Sequence, residues 1–129
     1  MNILHLVLKA QWYNLIASGV KKEEYREIKP YWLVRLFDVP KHYSDQEKED
    51  ICRALRTNWL SIENAYIVYN IIPKPFTHTQ FKHGYSDKAD TQLLDGYRLS
   101  IGEPRPEWSG GMTGQHFVID LGQLVPQST

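Results

Sequence analysis

The sequence predicts an α+β domain: a small mixed β-barrel of about five to six strands, with an early helix across the barrel end and a second helix inserted later in the chain. Three observations lead there. Short segments alternating apolar and polar residues recur along the chain, as half-buried strands do. Only two stretches space their large apolar residues at helical intervals. The resulting order is strand, helix, strand, helix, then at least four more strands, and closing so many short strands removes exposed sheet edges. The length of 129 residues fits one domain with a real core, expected over residues 1–122, with a helical insertion at about 38–63 and a frayed tail at 123–129.

Ile3 to Leu8 is almost wholly apolar and β-compatible, the pattern of a central strand covered on both faces. From Ala10 to Ser18, Trp12, Leu15 and Ile16 recur at helical spacing, and Gly19 supplies the residue most willing to close a helix in the left-handed region. An extended run with Tyr25 and Ile28 follows, ended by Pro30. Tyr31 to Phe37 is apolar apart from Arg35 and reads as a short helix or a strand. Ser44 with Glu47 makes a capping box, and Ile51, Leu55 and Trp59 recur every four residues, so a second amphipathic helix is expected over Asp45 to Asn58. Its first turn is acidic and its later part carries Arg53 and Arg56, which suits the helix dipole.

Ala65 to Ile72 alternates Tyr66, Val68 and Asn70 against Ala65, Ile67, Tyr69 and Ile71, and reads as a strand. Gln80 to Tyr85 is a short aromatic segment, Ser86 to Asp90 a polar loop, and Thr91 to Ile101 a strand broken at Asp95-Gly96 by a bulge or hairpin turn. Gly102 to Gly114 reads as a Gly/Pro-rich loop. Gln115 to Leu121 is the last strand, with Phe117, Ile119 and Leu121 on one face.

Lys plus Arg and Asp plus Glu number 15 each, so the net charge is zero. No global positive field draws in nucleic acid, and any polyanion binding must come from a local patch. Cys52 is the only cysteine, which rules out an internal disulfide and agrees with a reducing cytoplasm. The apolar run at the N-terminus is too short for a signal peptide, and nothing approaches the ~20 apolar residues of a membrane span. Five histidines (His5, His42, His78, His83, His116) show no metal-ligand spacing, and His5 reads as a core residue. There is no Walker loop, Rossmann fingerprint or nucleophile elbow, so no metal or cofactor is assigned.

Chemistry concentrates between Gly19 and Trp32, which holds four cations, three carboxylates and three aromatics. In a strand Glu24 and Arg26 share a face, and Lys21 lies at the preceding turn. The plainer reading is a solvated edge strand decorated with salt bridges. The other is a carboxylate, a guanidinium and an ammonium converging beside a helix end.

Gly19, Lys21, Glu24 and Arg26 reproduce the G-x-K-x-x-E-x-R signature of the ASCH domain, a small family of the PUA-like superfamily, which the chain therefore resembles. The likeness extends to the Leu4-His5-Leu6 opening, Pro30-Tyr31-Trp32, Pro106-Glu107-Trp108 and the closing strand. It also takes in Phe81-Lys82-His83-Gly84-Tyr85, where His83 replaces the usual asparagine of F-x-N-G-Y. It implies a PUA-like barrel, a helical turn at Tyr31 to Phe37, and a cleft beneath the first helix lined by Lys21, Glu24 and Arg26. There the cations would hold a phosphate or carbonyl oxygen, and Glu24 would orient them or accept from a base amino group.

Aromatics supply the other half of nucleotide recognition. Tyr25, Tyr31, Trp32, Tyr85 and Trp108 are the candidates, with Tyr85 and Trp108 assigned to ligand binding and Trp32 to the core. Some relatives deacetylate N4-acetylcytidine with a lysine and a threonine of the same signature. Here Glu24 occupies the threonine position, and a carboxylate does not replace a hydroxyl nucleophile without changing the mechanism. Other ASCH proteins are ribonucleases, for which Lys21 and Glu24 are the catalytic candidates. The expected function is thus RNA or nucleotide binding in the cytoplasm. The alternatives are a hydrolase acting on RNA or a modified nucleoside in the same cleft, and a protein-interaction module without a nucleic-acid ligand.

Overall fold

The computed structural model describes residues 1–84 and 90–126. In chain order its elements are β1 (Ile3–Leu8), α1 (Ala10–Ala17), β2 (Glu23–Glu27), α2 (Pro30–Leu36), β3 (Phe37–Asp38) and α3 (Asp45–Arg56). Then come α4 (Ala65–Tyr69), β4 (Ile72–Pro73), β5 (His78–His83), β6 (Thr91–Leu94), β7 (Arg98–Gly102), α5 (Pro106–Ser109) and β8 (His116–Asp120). The chain is a mixed α+β protein. Among the described residues the eight strands form three open sheets, ordered β1-β5-β6, β2-β8-β7 and β3-β4. That exceeds the five to six strands expected, and β3 and β4 are only two residues each.

Two compact units are assembled from separate stretches of chain. The first takes Met1–Glu24, Pro75–Arg98 and the described residues from Ile119 onward; the second takes Tyr25–Lys74 and Leu99–Val118.

In the first unit β1 pairs parallel with β5, and β5 antiparallel with β6. Leu4, Leu6 and Leu8 of β1, Phe81 of β5 and Leu94 of β6 are buried, with Ile16 of α1. Each such side chain contributes about 1.5–3 kcal/mol. β1 is an edge strand with one buried face, not a central strand covered on both: alternation leaves His5 exposed, so it is no core histidine.

Asp95-Gly96 separates strands that join different sheets, so the break is not a hairpin turn. A Cβ on Gly96 would collide with the backbone of Gly122, and Asp95 Oδ1 accepts from the Gln123 N–H at 2.6 Å. The residues expected to fray from Gln123 are instead bonded as far as Val125, whose N–H donates to Leu93 O at 2.8 Å.

In the second unit Leu33, Leu36, Phe37, Ile51, Leu55, Ile71 and Phe117 are fully buried, and the rings of Phe37 and Phe117 lie 6.0 Å apart. Helix α3 opens on the predicted capping box, with Ser44 Oγ accepting from the Glu47 N–H and Glu47 Oε1 from the Ser44 N–H. It closes two residues before the predicted end. Asn58 turns left-handed at φ 62°, and the N–H groups of Trp59 and Leu60 donate back to Ala54 O. Trp59 therefore leaves the Ile51–Leu55 stripe and is 88% exposed.

The strand expected over Ala65 to Ile72 is mostly helix α4. A turn at Ser61 to Asn64 starts helical hydrogen bonding, with Ala65 N–H donating to Ile62 O and Val68 N–H to Asn64 O. Asn70, at φ 56°, ends it. β-propensity reflects packing on a pleated surface, and only β4 at the end of this segment gains a strand neighbour.

Tyr31 to Phe37 is the helical alternative, α2, begun by Pro30 in its first turn and flanked by β3. Leu33 and Leu36 face inward and Arg35 outward, while Trp32 is half-buried, not core. Within the expected Gly102–Gly114 loop the chain forms the one-turn helix α5. β8 is buried on both faces from His116 to Ile119.

Candidate functional site

The signature segment begins where α1 stops. Gly19 takes φ +79°, its N–H donates to Ile16 O, and the N–H groups of Val20 and Lys21 both donate to Leu15 O. This is a Schellman closure, and it folds the chain back along the last turn of the helix. Lys21 is thereby carried beside Trp12, one turn earlier on α1, with its Nζ 4.3 Å from the indole centroid. Glu24 Oε1 lies 3.3 Å from the same Nζ. The two residues are 2% and 3% exposed. Removing an ammonium and a carboxylate from water costs several kcal/mol per ion, offset by their mutual attraction and by the ring face.

Lys21 and Glu24 are therefore brought together in the first unit. Arg26, also on β2, belongs to the second, where its Nη1 donates to Tyr25 O at 2.8 Å and its guanidinium lies 5.1 Å from the Trp32 ring centroid. Tyr25 is not an exposed stacking platform: it is 1% exposed, and its hydroxyl accepts from the Arg105 N–H at 3.2 Å. Trp108 sits on α5, half-buried, with the Arg105 guanidinium 5.2 Å from its ring centroid. Tyr85 lies outside the described residues.

Several polar groups around these residues carry no sequence motif. Tyr13 stacks on His83 with centroids 5.2 Å apart, and burial, helped by the Asp90 carboxylate, raises its hydroxyl pKa above the usual value. In the second unit a groove of about 570 Å³ is lined by Ile28, Lys29, Arg56 and the Met112–His116 segment. Arg56 donates to Ile28 O and to Glu49 Oε1, both at 2.6 Å. His116 Nδ1 lies 2.9 Å from Gly114 O. Arg56 had a sequence signal only as a helix-end cation, and the Trp12–Lys21 contact had none, because spacing rules stop at the turn between them.

Among the described residues no three His, Cys, Asp or Glu side chains gather as a metal site, and no helix is long and apolar enough to cross a membrane. An ammonium held between a carboxylate and an indole can anchor an anion or exchange a proton, and it can equally brace the connection from α1 to β2. Compared with known proteins, the chain matches no family model, no curated protein and no solved structure.

Proposed function

We propose that this chain is a cytoplasmic ASCH-type domain with a PUA-like arrangement of its sheets, binding RNA or a nucleotide-like ligand through Lys21, Glu24 and Arg26. The observation that carries the reading is the buried Lys21–Glu24 pair at 3.3 Å beside Trp12. Apolar side chains of similar volume often stabilise such a position equally well, so the pair is read as more than a brace; at 2% and 3% exposed, it meets a ligand only where the surface over it opens. Lys21 supplies a point charge for phosphate or carbonyl oxygen, Arg26 a planar fork, and Glu24 an acceptor for a base amino group. The mixed parallel and antiparallel pairing around β5 supports the PUA-like reading.

The test is calorimetric titration of the protein with nucleoside monophosphates and short RNAs. The double variant Lys21→Met/Glu24→Gln removes both charges together and leaves no buried ion alone; Arg26→Gln removes the third anchor. Binding by wild type and at least tenfold weaker binding by both variants is expected. Unchanged affinity in folded variants sinks the reading.

The same ammonium–carboxylate contact favours a second reading, a hydrolase in which the pair exchanges protons with RNA or an acylated nucleoside. Product release by wild type that is lost in a Glu24→Gln variant still folded by its thermal melt would mark it. With neither binding nor turnover, an interaction module remains.

A further inference from the structure

We propose that the outer face of α2 is a contact surface for a single-stranded nucleic acid, with Arg35 donating to a backbone phosphate and Tyr31 stacking on a base. For its ligand class this rests on the nucleic-acid reading above, but it uses different residues. Four side chains of the second unit alternate cation and ring in the order Arg26, Trp32, Arg35, Tyr31. The Arg26 and Arg35 guanidinium carbons lie 5.1 and 5.8 Å from the Trp32 ring centroid, and that of Arg35 is 4.3 Å from the Tyr31 ring. The two rings meet edge to face with centroids 5.0 Å apart. Helical spacing produces the array: Arg35 follows Tyr31 by four residues and Trp32 by three, so all three share one face of α2.

Exposure and pairing separate this face from an ordinary salt-bridged surface. Tyr31 is 52% exposed and Arg35 is exposed. Among the described residues no carboxylate pairs with Arg35. A solvent-exposed arginine without a partner keeps about 2 kcal/mol of rotamer freedom. Here the guanidinium carbon lies 4.3 and 5.8 Å from two ring centroids, contacts that narrow its rotamers before a ligand arrives, so less is lost on binding. A guanidinium fork matches a phosphate, and an exposed tyrosine ring matches a base of any identity. With zero net charge there is no long-range attraction to assist, so binding should be weak and involve few phosphates.

Fluorescence anisotropy of the full chain with labelled oligouridylate and oligothymidylate of equal length tests this, and the two probes distinguish an RNA from a DNA ligand. Arg35→Gln is expected to weaken binding severalfold and to reduce the slope of log affinity against log salt by about 0.7, the value for one phosphate on a single strand. Tyr31→Ala should weaken binding about 5- to 150-fold with the slope unchanged. Arg35→Lys should keep the slope and lose affinity. Both sites are on the surface, and a thermal melt of each of the three variants confirms folding.

Wild-type affinity in both Arg35→Gln and Tyr31→Ala overturns the inference, as does equally tight binding of inorganic polyphosphate, which has no bases. So does failure of the wild type to bind either oligonucleotide; mononucleotide binding by that same protein would leave the signature-site proposal standing. Loss of mononucleotide binding in Lys21→Met/Glu24→Gln, with oligonucleotide binding kept, supports the α2 face as a separate surface.

Discussion

Lys21 Nζ lies 3.3 Å from Glu24 Oε1 and 4.3 Å from the centre of the Trp12 ring, with both charged side chains closed off from water. The three residues come from α1, the turn after it and β2, so the contact ties those pieces together across the Gly19 closure. Removing one charge leaves the other buried. Lys21→Met alone or Glu24→Gln alone should cost about 3–5 kcal/mol, and the double variant less than either single change. Urea unfolding of all three, read as a double-mutant cycle, checks this; additive losses would mean the charges do not interact.

The inner stripe of α3 ends at Leu55. Leu55→Ala should cost about 2–5 kcal/mol, as large-to-small changes in a packed core do. Trp59→Ala, one helical turn later in the sequence but 88% exposed, should stay within about 0.5 kcal/mol. Similar losses at the two sites in chemical denaturation would contradict the early closure at Asn58.

Ser44 and Glu47 satisfy one another's backbone N–H at the start of α3, at 3.1 and 3.0 Å. Ser44→Ala should destabilise the protein by about 1 kcal/mol. Ser44→Asp, which keeps an acceptor there, should recover most of that loss in the same melts.

Gly19 and Gly96 separate two uses of glycine. Gly19→Ala meets nothing within 4 Å and bears only the left-handed φ of +79°, a cost of about 1–2 kcal/mol. Gly96→Ala drives a methyl into the backbone at Gly122 and should destabilise more, with loss of hydrogen-exchange protection at Asp95 and Gln123, which bond to each other. A reversed ranking would be decisive against the close approach.

Cys52 is enclosed, and burial first, then the Glu49 carboxylate, pushes its thiol up to about 12, with Arg56 opposing. The unfolded chain releases this proton near the ordinary value of 9.0. Between the two values the unfolded state binds fewer protons, so the contribution is complete below pH 9 and is lost as pH rises towards 12. Burial of the Tyr97 hydroxyl acts in the same direction. Stability should fall through this window with a shallower slope in Cys52→Ser. Native protein at pH 8 should resist a thiol reagent that labels it rapidly in urea.

Elements whose signal is local were legible in the chain itself. The α1 stop at Gly19, the capping box of α3 and the strand Ile3–Leu8 each depend on residues within one turn or one strand, where backbone sterics and hydrogen-bond geometry leave little choice. The charges of the signature segment were legible in the same way, as residue types placed next to a helix end.

Tertiary contacts decided what local pattern leaves open. Ala65 to Tyr69 has the composition of a strand, yet it becomes helical because the preceding turn sets its hydrogen bonds and a strand neighbour arrives only at Ile72. Two glycine backbones in contact carry Asp95 to Gln123, a pairing that no spacing announces. Lys21, Trp12 and Glu24 are named by the sequence, but the enclosure of the two charges is not, because whether a charge meets water depends on surfaces contributed by distant parts of the chain.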